Sequence, residues 1–409
     1  MIRTYKTFFN EIYIAIIGML GFSLLGQFIL VDFLKLPFSV MEIYYLPFLI
    51  YKRKAVSRII SNFFSKQNLF HAILILMLLF GALMGVISTA NIGVVIEYRS
   101  LIYMLIILYA FRHQEVSVPM SLIMKVGMYA LIGDFLFITI FSMYEKVSTA
   151  NCIMMAVVIL GLFIQEKYVL SIVFLGFCVV MGTISGYRIG TIVSVLCFIE
   201  GVVFMIIRND RYKTTKLLVK RVFFLVISVV AMILLVQNYM FIVSVLAKVA
   251  GMSQFAVFRI TTRMESLLHF DFVTSQDMVR SVLFKYPFER FFSGLIPRGL
   301  IGTFIGEYSL YIDVPILYLY DAFGSLFAWT IVFILLYVGI RKGCKYIIMS
   351  KRKKQSNSIN TTSDDIQMQI LSVLVVPILL VLLTINGSFM VIVYQAIETG
   401  LLLGVLAKK

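Results

Sequence analysis

Residues 182–191 read GTISGYRIGT, and Arg188 stands there between two apolar runs. A guanidinium in such a place is costly unless water, an anion or a carboxylate receives it. Two further cations, Arg259 and Arg263, lie four residues apart in QFAVFRITTRMESLLHF (254–270). On a helix they share a face, where like charges repel. Neither has an acid three or four residues away, so an anion has to come from outside the helix. Lipid phosphate, a carboxylate elsewhere in the chain and a phosphate-bearing ligand all fit, and guanidinium forks match phosphate oxygens well. Arg280 differs, because Asp277 lies one turn before it. Three carboxylates follow in PRGLIGTFIGEYSLYIDVPILYLYDAFGSLFAW (297–329): Glu307, Asp313 and Asp321. Beside or inside an apolar run, a carboxylate faces a polar cavity or a cation, or it pairs with the arginines upstream. His71, His113 and His269 are far apart, and the four cysteines form no CxxC pair. No metal-ligand spacing is present, and there is no phosphate-binding glycine-rich loop of the Walker type.

The elements that must position these groups are apolar. Of 409 residues, 61% are hydrophobic and 14% charged, with a mean hydropathy of +1.00, outside the range of ordinary water-soluble domains. Runs of the ~20 residues that cross ~30 Å of hydrocarbon recur along the chain. The expectation is an all-α polytopic membrane protein, one integral domain over 1–409, with about twelve transmembrane helices. The spans are placed at 12–31, 37–51, 69–90, 92–111, 118–142, 151–164, 168–184, 189–207, 222–247, 312–340, 367–385 and 388–406. The weakest are 37–51, which holds Glu42 and Pro47, and 92–111, which holds Glu97 and Arg99. The first apolar run is long and lacks a small-residue cleavage site, so it reads as its own insertion signal.

Charge orients the expected bundle. Lys52, Arg53, Lys54 and Arg58, the group Arg208–Arg221, and the run Lys351–Lys354 fall on one side. The short connections on the other side carry little. By the positive-inside rule both termini are cytoplasmic, and the net charge of +16 is a topology signal that needs no nucleic acid. Two longer connections stand out: an outer loop at 248–312 containing short helices, and a basic, polar cytoplasmic loop at 341–366. Within the outer loop, SQDMVRSVLFKY (275–286) has an N-cap in Ser275 and an apolar face suited to a membrane surface.

Ser185-Gly186-Tyr187-Arg188 between two mid-chain spans, and Asp313 through Gly324 at the end of a large outer loop, resemble the O-antigen ligase and polymerase superfamily. The closest likeness is to its Wzy-type polymerases. The Pro/Gly step of that family falls at Pro287…Gly294 or at Pro297-Arg298-Gly299. Tyr187 replaces the usual small residue, and Asp313 stands where the ligases carry a histidine. The resemblance implies a membrane glycosyltransferase that joins oligosaccharide repeat units carried on polyprenyl (undecaprenyl) pyrophosphate, in O-antigen, capsule or exopolysaccharide synthesis. Fixed cations would stabilise the departing pyrophosphate, a role falling to Arg188, Arg259, Arg263 and Arg298. A carboxylate or imidazole would activate the sugar hydroxyl, namely Asp313, Glu307 or His269.

No cofactor and no metal is expected. The implied partners are the lipid-linked oligosaccharide, membrane lipids, a chain-length regulator and a flippase. The implied location is a bacterial inner membrane. A ligase-type transferase, a lipid-linked oligosaccharide flippase and a secondary transporter, for which buried charges such as Asp134 and Arg188 would serve, are the competing readings. Matching halves around a central loop would favour a transporter, but only Gln165-Glu166-Lys167 separates the sixth and seventh spans.

Overall fold

The computed structural model describes residues 10–36, 69–90, 98–112, 118–142, 151–184, 188–207, 237–249, 323–352, 363–385 and 393–407, with scattered single residues between them. All described elements are helices. In chain order they are α1 (Asn10–Gly21) and α2 (Leu24–Leu30), α3 (Leu69–Thr89), α4 (Arg99–Arg112), α5 (Met120–Ser142), α6 (Cys152–Ile164), α7 (Tyr168–Ile184), α8 (Arg188–Ile207), α9 (Tyr239–Val249), α10 (Ser325–Arg352), α11 (Ser363–Ile385) and α12 (Val393–Leu406).

The expected twelve spans do not survive. Among the described residues, two helical stretches, Met120–Ile140 and Ile366–Leu383, are long and apolar enough to cross a membrane. A third is gained only if α1 and α2, bent by 69° at their junction, count as one. The apolar runs do form helices of nearly the same bounds, Cys152–Ile164 for 151–164 and Tyr168–Ile184 for 168–184, but several of them are too short to cross. The 13 residues of α6 cover about 20 Å at 1.5 Å per residue, and an apolar helix that short reads as a core helix. Every residue of α6 is indeed buried within the protein. The other shorter apolar stretches are Ile75–Ile87, Tyr168–Gly182, Ile189–Met205 and Gln395–Leu406.

The multi-pass inner-membrane location with both termini cytoplasmic rested on an even count of twelve passes, and it falls with that count. So does the reading as a twelve-span Wzy-type polymerase of O-antigen, capsule or exopolysaccharide, together with its ligase, flippase and transporter alternatives, since each was drawn from the same layout. Most of the expected span 37–51 and of 222–236, and nearly all of the loop 248–312, lie outside the described residues, whereas the end of the expected span 222–247 falls in α9. Between α10 and α11 the same holds for 353–362.

The chain divides into two compact units, 1–29 with 123–272 and 30–122 with 273–409. In the first, α1 and α2 run parallel to α5. Glu11 pairs with Lys125, Gly18 lies against Tyr129, Gly133 against Ser23, and the rings of Phe28 and Phe137 are 5.5 Å apart. The chain then returns along α5 as α6, whose Met154 and Val158 lie over Gly127. A tight turn follows, with Glu166 left-handed at φ 62° and the Lys167 N–H reaching back to the Leu162 carbonyl at 2.9 Å. Next, α7 runs antiparallel to α6, and α8 parallel to it. Phe163 of α6 packs over Gly201 of α8 and meets Phe198 edge-on at 5.6 Å.

In the second unit the closest pair is α4 and α12. Gly400 and Gly404, one turn apart, lie on the backbone carbonyls of Met104 and Leu108. This is small-residue packing of the kind that brings helices together where water does not drive them. Gly81 of α3 lies under Phe323 and the Tyr98 hydroxyl, with Tyr98 and Phe323 edge-to-face at 5.7 Å.

Candidate functional site

The most developed polar arrangement lies where α1 breaks into α2. Ser23 leaves the helix with φ −132° and ψ 163° and supplies no side-chain cap to α2, because its hydroxyl donates back to the Met19 carbonyl. The first amide of α2 and the last carbonyl of α1 therefore lose their helical partners. Both are satisfied by side chains from other helices. The Leu24 N–H donates to Asp134 Oδ1 at 2.8 Å, and the Phe22 carbonyl accepts from Asn151 Nδ2 at 3.2 Å.

Asn151 ties the two sides together. Its own N–H donates to Asp134 Oδ2 at 2.9 Å, and its Oδ1 caps α6 by accepting the Met154 N–H at 3.0 Å. Asp134 and Asn151 are fully buried. The carboxylate thus faces the N-terminal ends of two helices, α2 and α6, whose dipoles favour a negative charge there. Both of its oxygens accept N–H groups, which makes it an anchor for backbone and a poor cradle for a cation.

Beneath the break lie three buried free thiols, Cys152, Cys178 and Cys197, contributed by α6, α7 and α8. Ser194 donates to the Gly190 carbonyl at 2.7 Å and lies 3.6 Å from the Met155 sulfur. Further along α8, Glu200 keeps one buried oxygen without a hydrogen-bond partner. Among the described residues no three or more His, Cys, Asp or Glu gather closely enough to hold a metal.

A separate polar cluster belongs to the second unit. Arg99, the first residue of α4, lies 3.8 Å from Glu42, and the Tyr103 hydroxyl donates to the same carboxylate at 2.9 Å. Burial, and then the bond to Glu42, push the Tyr103 phenol up to about 12. Arg99 and Glu42, which marked two weak spans in the sequence, neutralise each other across helices.

Of the sequence-derived site residues, Arg188 is the first residue of α8, at the same end of the α6–α8 bundle as Asn151. Glu200 lies twelve residues further along α8, about 18 Å away. Asp313, Glu307, Arg259, Arg263, Arg298 and His269 lie outside the described residues, as do Ser185, Gly186 and Tyr187. Asp134 was visible in the sequence as an acid inside an apolar run. Its partners were not, although two signals existed. FSLLGQ (22–27) interrupts an apolar run with Ser, Gly and Gln, and Asn151 stands where a helix cap belongs, just before CIMMAVVILGLFI (152–164).

No protein-family model, curated protein or solved structure matches the chain.

Proposed function

We propose that the protein is embedded in a lipid bilayer through crossing helices such as Met120–Ile140 and Ile366–Leu383, with further apolar helices turned to acyl chains, and that its ligands are phosphate-bearing lipids. The observation that carries this is the outer face of α3. Ile73, Leu76, Phe80, Leu83 and Ile87 are exposed at three- and four-residue spacing, while Ala72, Leu78 and Ala82 are buried on the other side. A contiguous apolar face of this extent marks contact with lipid or with another protein. On α10 the same pattern recurs in Phe333, Leu336, Tyr337 and Ile340, ending at Arg341, whose guanidinium donates to the Tyr337 hydroxyl at 3.3 Å. An aromatic and a cation closing an apolar stripe suit the boundary between acyl chain and headgroup.

The net charge of +16 supports the ligand class, because each lysine or arginine near an anionic lipid surface contributes about 1 kcal/mol. The transferase chemistry expected from the arginines enters this proposal only through that class, a phosphate carried on a lipid.

The chain's single tryptophan, Trp329, lies on the α10 stripe with its ring 6.5 Å from Phe333, and it reports directly. In vesicles containing lipids brominated on their acyl chains, its fluorescence should be strongly quenched. Emission unchanged from that in non-brominated vesicles would sink the reading. Substituting zwitterionic for anionic lipid should weaken association of the detergent-solubilised protein in a salt-dependent way.

A further inference from the structure

We propose that α1–α2 is a two-state helix, bent or continuous, and that the charge on Asp134 selects between the states. The inference goes beyond lipid embedding and does not depend on it. In the bent state the Leu24 N–H and the Phe22 carbonyl are held by Asp134 and Asn151. In a continuous helix the same two groups would bond to the Leu20 carbonyl and the Gly26 N–H, four residues away. These two backbone groups have a partner in either state, while Asp134 Oδ1 and Asn151 Nδ2 give up theirs in the straight form. The neighbouring turns favour an exchange. Both Ile17–Gly21 and Phe28–Phe33 are widened to π geometry, a form that stores one residue of helical register and releases it on return to α spacing.

The carboxylate is the natural selector because both of its oxygens are already committed to N–H donors. In acid, hydronium delivers one proton to Asp134 and leaves water. When the proton sits on Oδ1, its O–H confronts the Leu24 N–H as donor against donor, that bond is lost, and the Leu24 N–H is free to turn to Leu20.

Among the described residues few other charges bear on Asp134. The break brings it no titratable side chain, α6 brings Cys152, and α7 brings Cys178, both buried thiols. On α5 the nearest charge is Lys125, about 14 Å along the helix and paired with Glu11 of α1.

Gly26 marks the bent state independently. A Cβ at this position would lie 1.7 Å from the Leu20 carbonyl oxygen, a clash that arises because the bend folds α2 onto the end of α1. A straight helix would place no such clash there.

The test is a distance. Nitroxide labels on Tyr13→Cys and Ile29→Cys, both exposed positions, would be placed in the full chain with Cys152, Cys178, Cys197 and Cys344 replaced by alanine. With the 69° bend, the labelled backbone positions lie about 19 Å apart; a continuous helix sets them about 24 Å apart. The short distance is expected at neutral pH and the long one in acid. Both Asp134→Asn and Gly26→Ala should give the long distance at every pH. If Asp134→Asn does not fold, the acid response and Gly26→Ala still decide. A distance that ignores pH overturns the proposal, as does a pH response that persists in Asp134→Asn.

Discussion

Replacing Gly400 with alanine sets two effects against each other, and the structure says which wins. Gly400 lies in the middle of α12, where glycine costs a helix roughly 0.5–1 kcal/mol relative to alanine. On propensity alone the substitution stabilises. An added Cβ, however, would sit 2.4 Å from the Met104 carbonyl oxygen and 3.0 Å from its Cα. That oxygen belongs to the backbone of α4 and cannot swing aside, so α4 and α12 must separate by most of an ångström. Forcing a close-packed interface apart costs about 1–3 kcal/mol, so after the propensity gain the net change should be a loss of up to about 2.5 kcal/mol, centred at about 1 kcal/mol. Gly404 makes the same contact one turn on, with a Cβ reaching to 2.7 Å from the Leu108 oxygen. The double substitution should therefore cost less than the two singles together, because one separation relieves both. Gly176 on α7 is the control. Nothing lies within 4 Å of its added Cβ, so Gly176→Ala should stabilise by about 0.5–1 kcal/mol. Denaturant unfolding of the detergent-solubilised protein, followed by far-ultraviolet circular dichroism, measures all four. Finding Gly400→Ala as stable as Gly176→Ala would refute the packing argument.

Asn151→Ala should lower stability by about 2–3 kcal/mol in the same assay. It removes the α6 cap and one donor to a buried carbonyl, and a loss under 0.5 kcal/mol would count against the clamp at the break. Gly201→Ala should also destabilise, by about 1–3 kcal/mol. Its Cβ would meet the Phe163 ring at 2.3 Å, and that ring is confined by Phe198 and Tyr168. An ultraviolet difference titration of wild type against Tyr103→Phe should place this phenol's ionisation near pH 12. Glu42→Gln should move it down, since the carboxylate's hydrogen bond and charge both disfavour the phenolate. An unmoved titration would disconnect Glu42 from Tyr103.

Helical content was legible in the sequence because apolar periodicity and run length are local properties. So were the bounds of several helices, since the runs 69–90, 151–164 and 168–184 became Leu69–Thr89, Cys152–Ile164 and Tyr168–Ile184; which of them cross a membrane was not. Whether an apolar run of 13 residues spans lipid or lies inside a bundle depends on what surrounds it, and α6 is fully buried against α5, α7 and α8. The connection at Gln165-Glu166-Lys167 was visible as a break between runs, yet nothing local required the tight turn with Glu166 left-handed. Asp134 was visible as an acid in an apolar segment. Its purpose was not, since the Leu24 amide is 110 residues away and becomes available only because α1 breaks. The pairing of Arg99 with Glu42 was hidden for the same reason: both look misplaced singly, and only tertiary contact makes them neighbours. Arg188 is the first residue of α8, whereas the rest of its motif and the carboxylates and arginines meant to join it lie outside the described residues.

The parallel alignment of α1–α2 with α5 has a consequence for biosynthesis. The first unit is assembled from 1–29 and 123–272, so its opening segment leaves the ribosome long before the helix that completes it. At 5–20 residues per second, the roughly 110 residues between Leu24 and Asp134 take about 5–20 s to make. Throughout that interval the broken form of α1–α2 has neither of its side-chain partners, and the continuous helix is the form that satisfies its own backbone. The nascent chain should therefore emerge straight and acquire its bend only when α5 and Asn151 arrive, which makes the break a late event in folding.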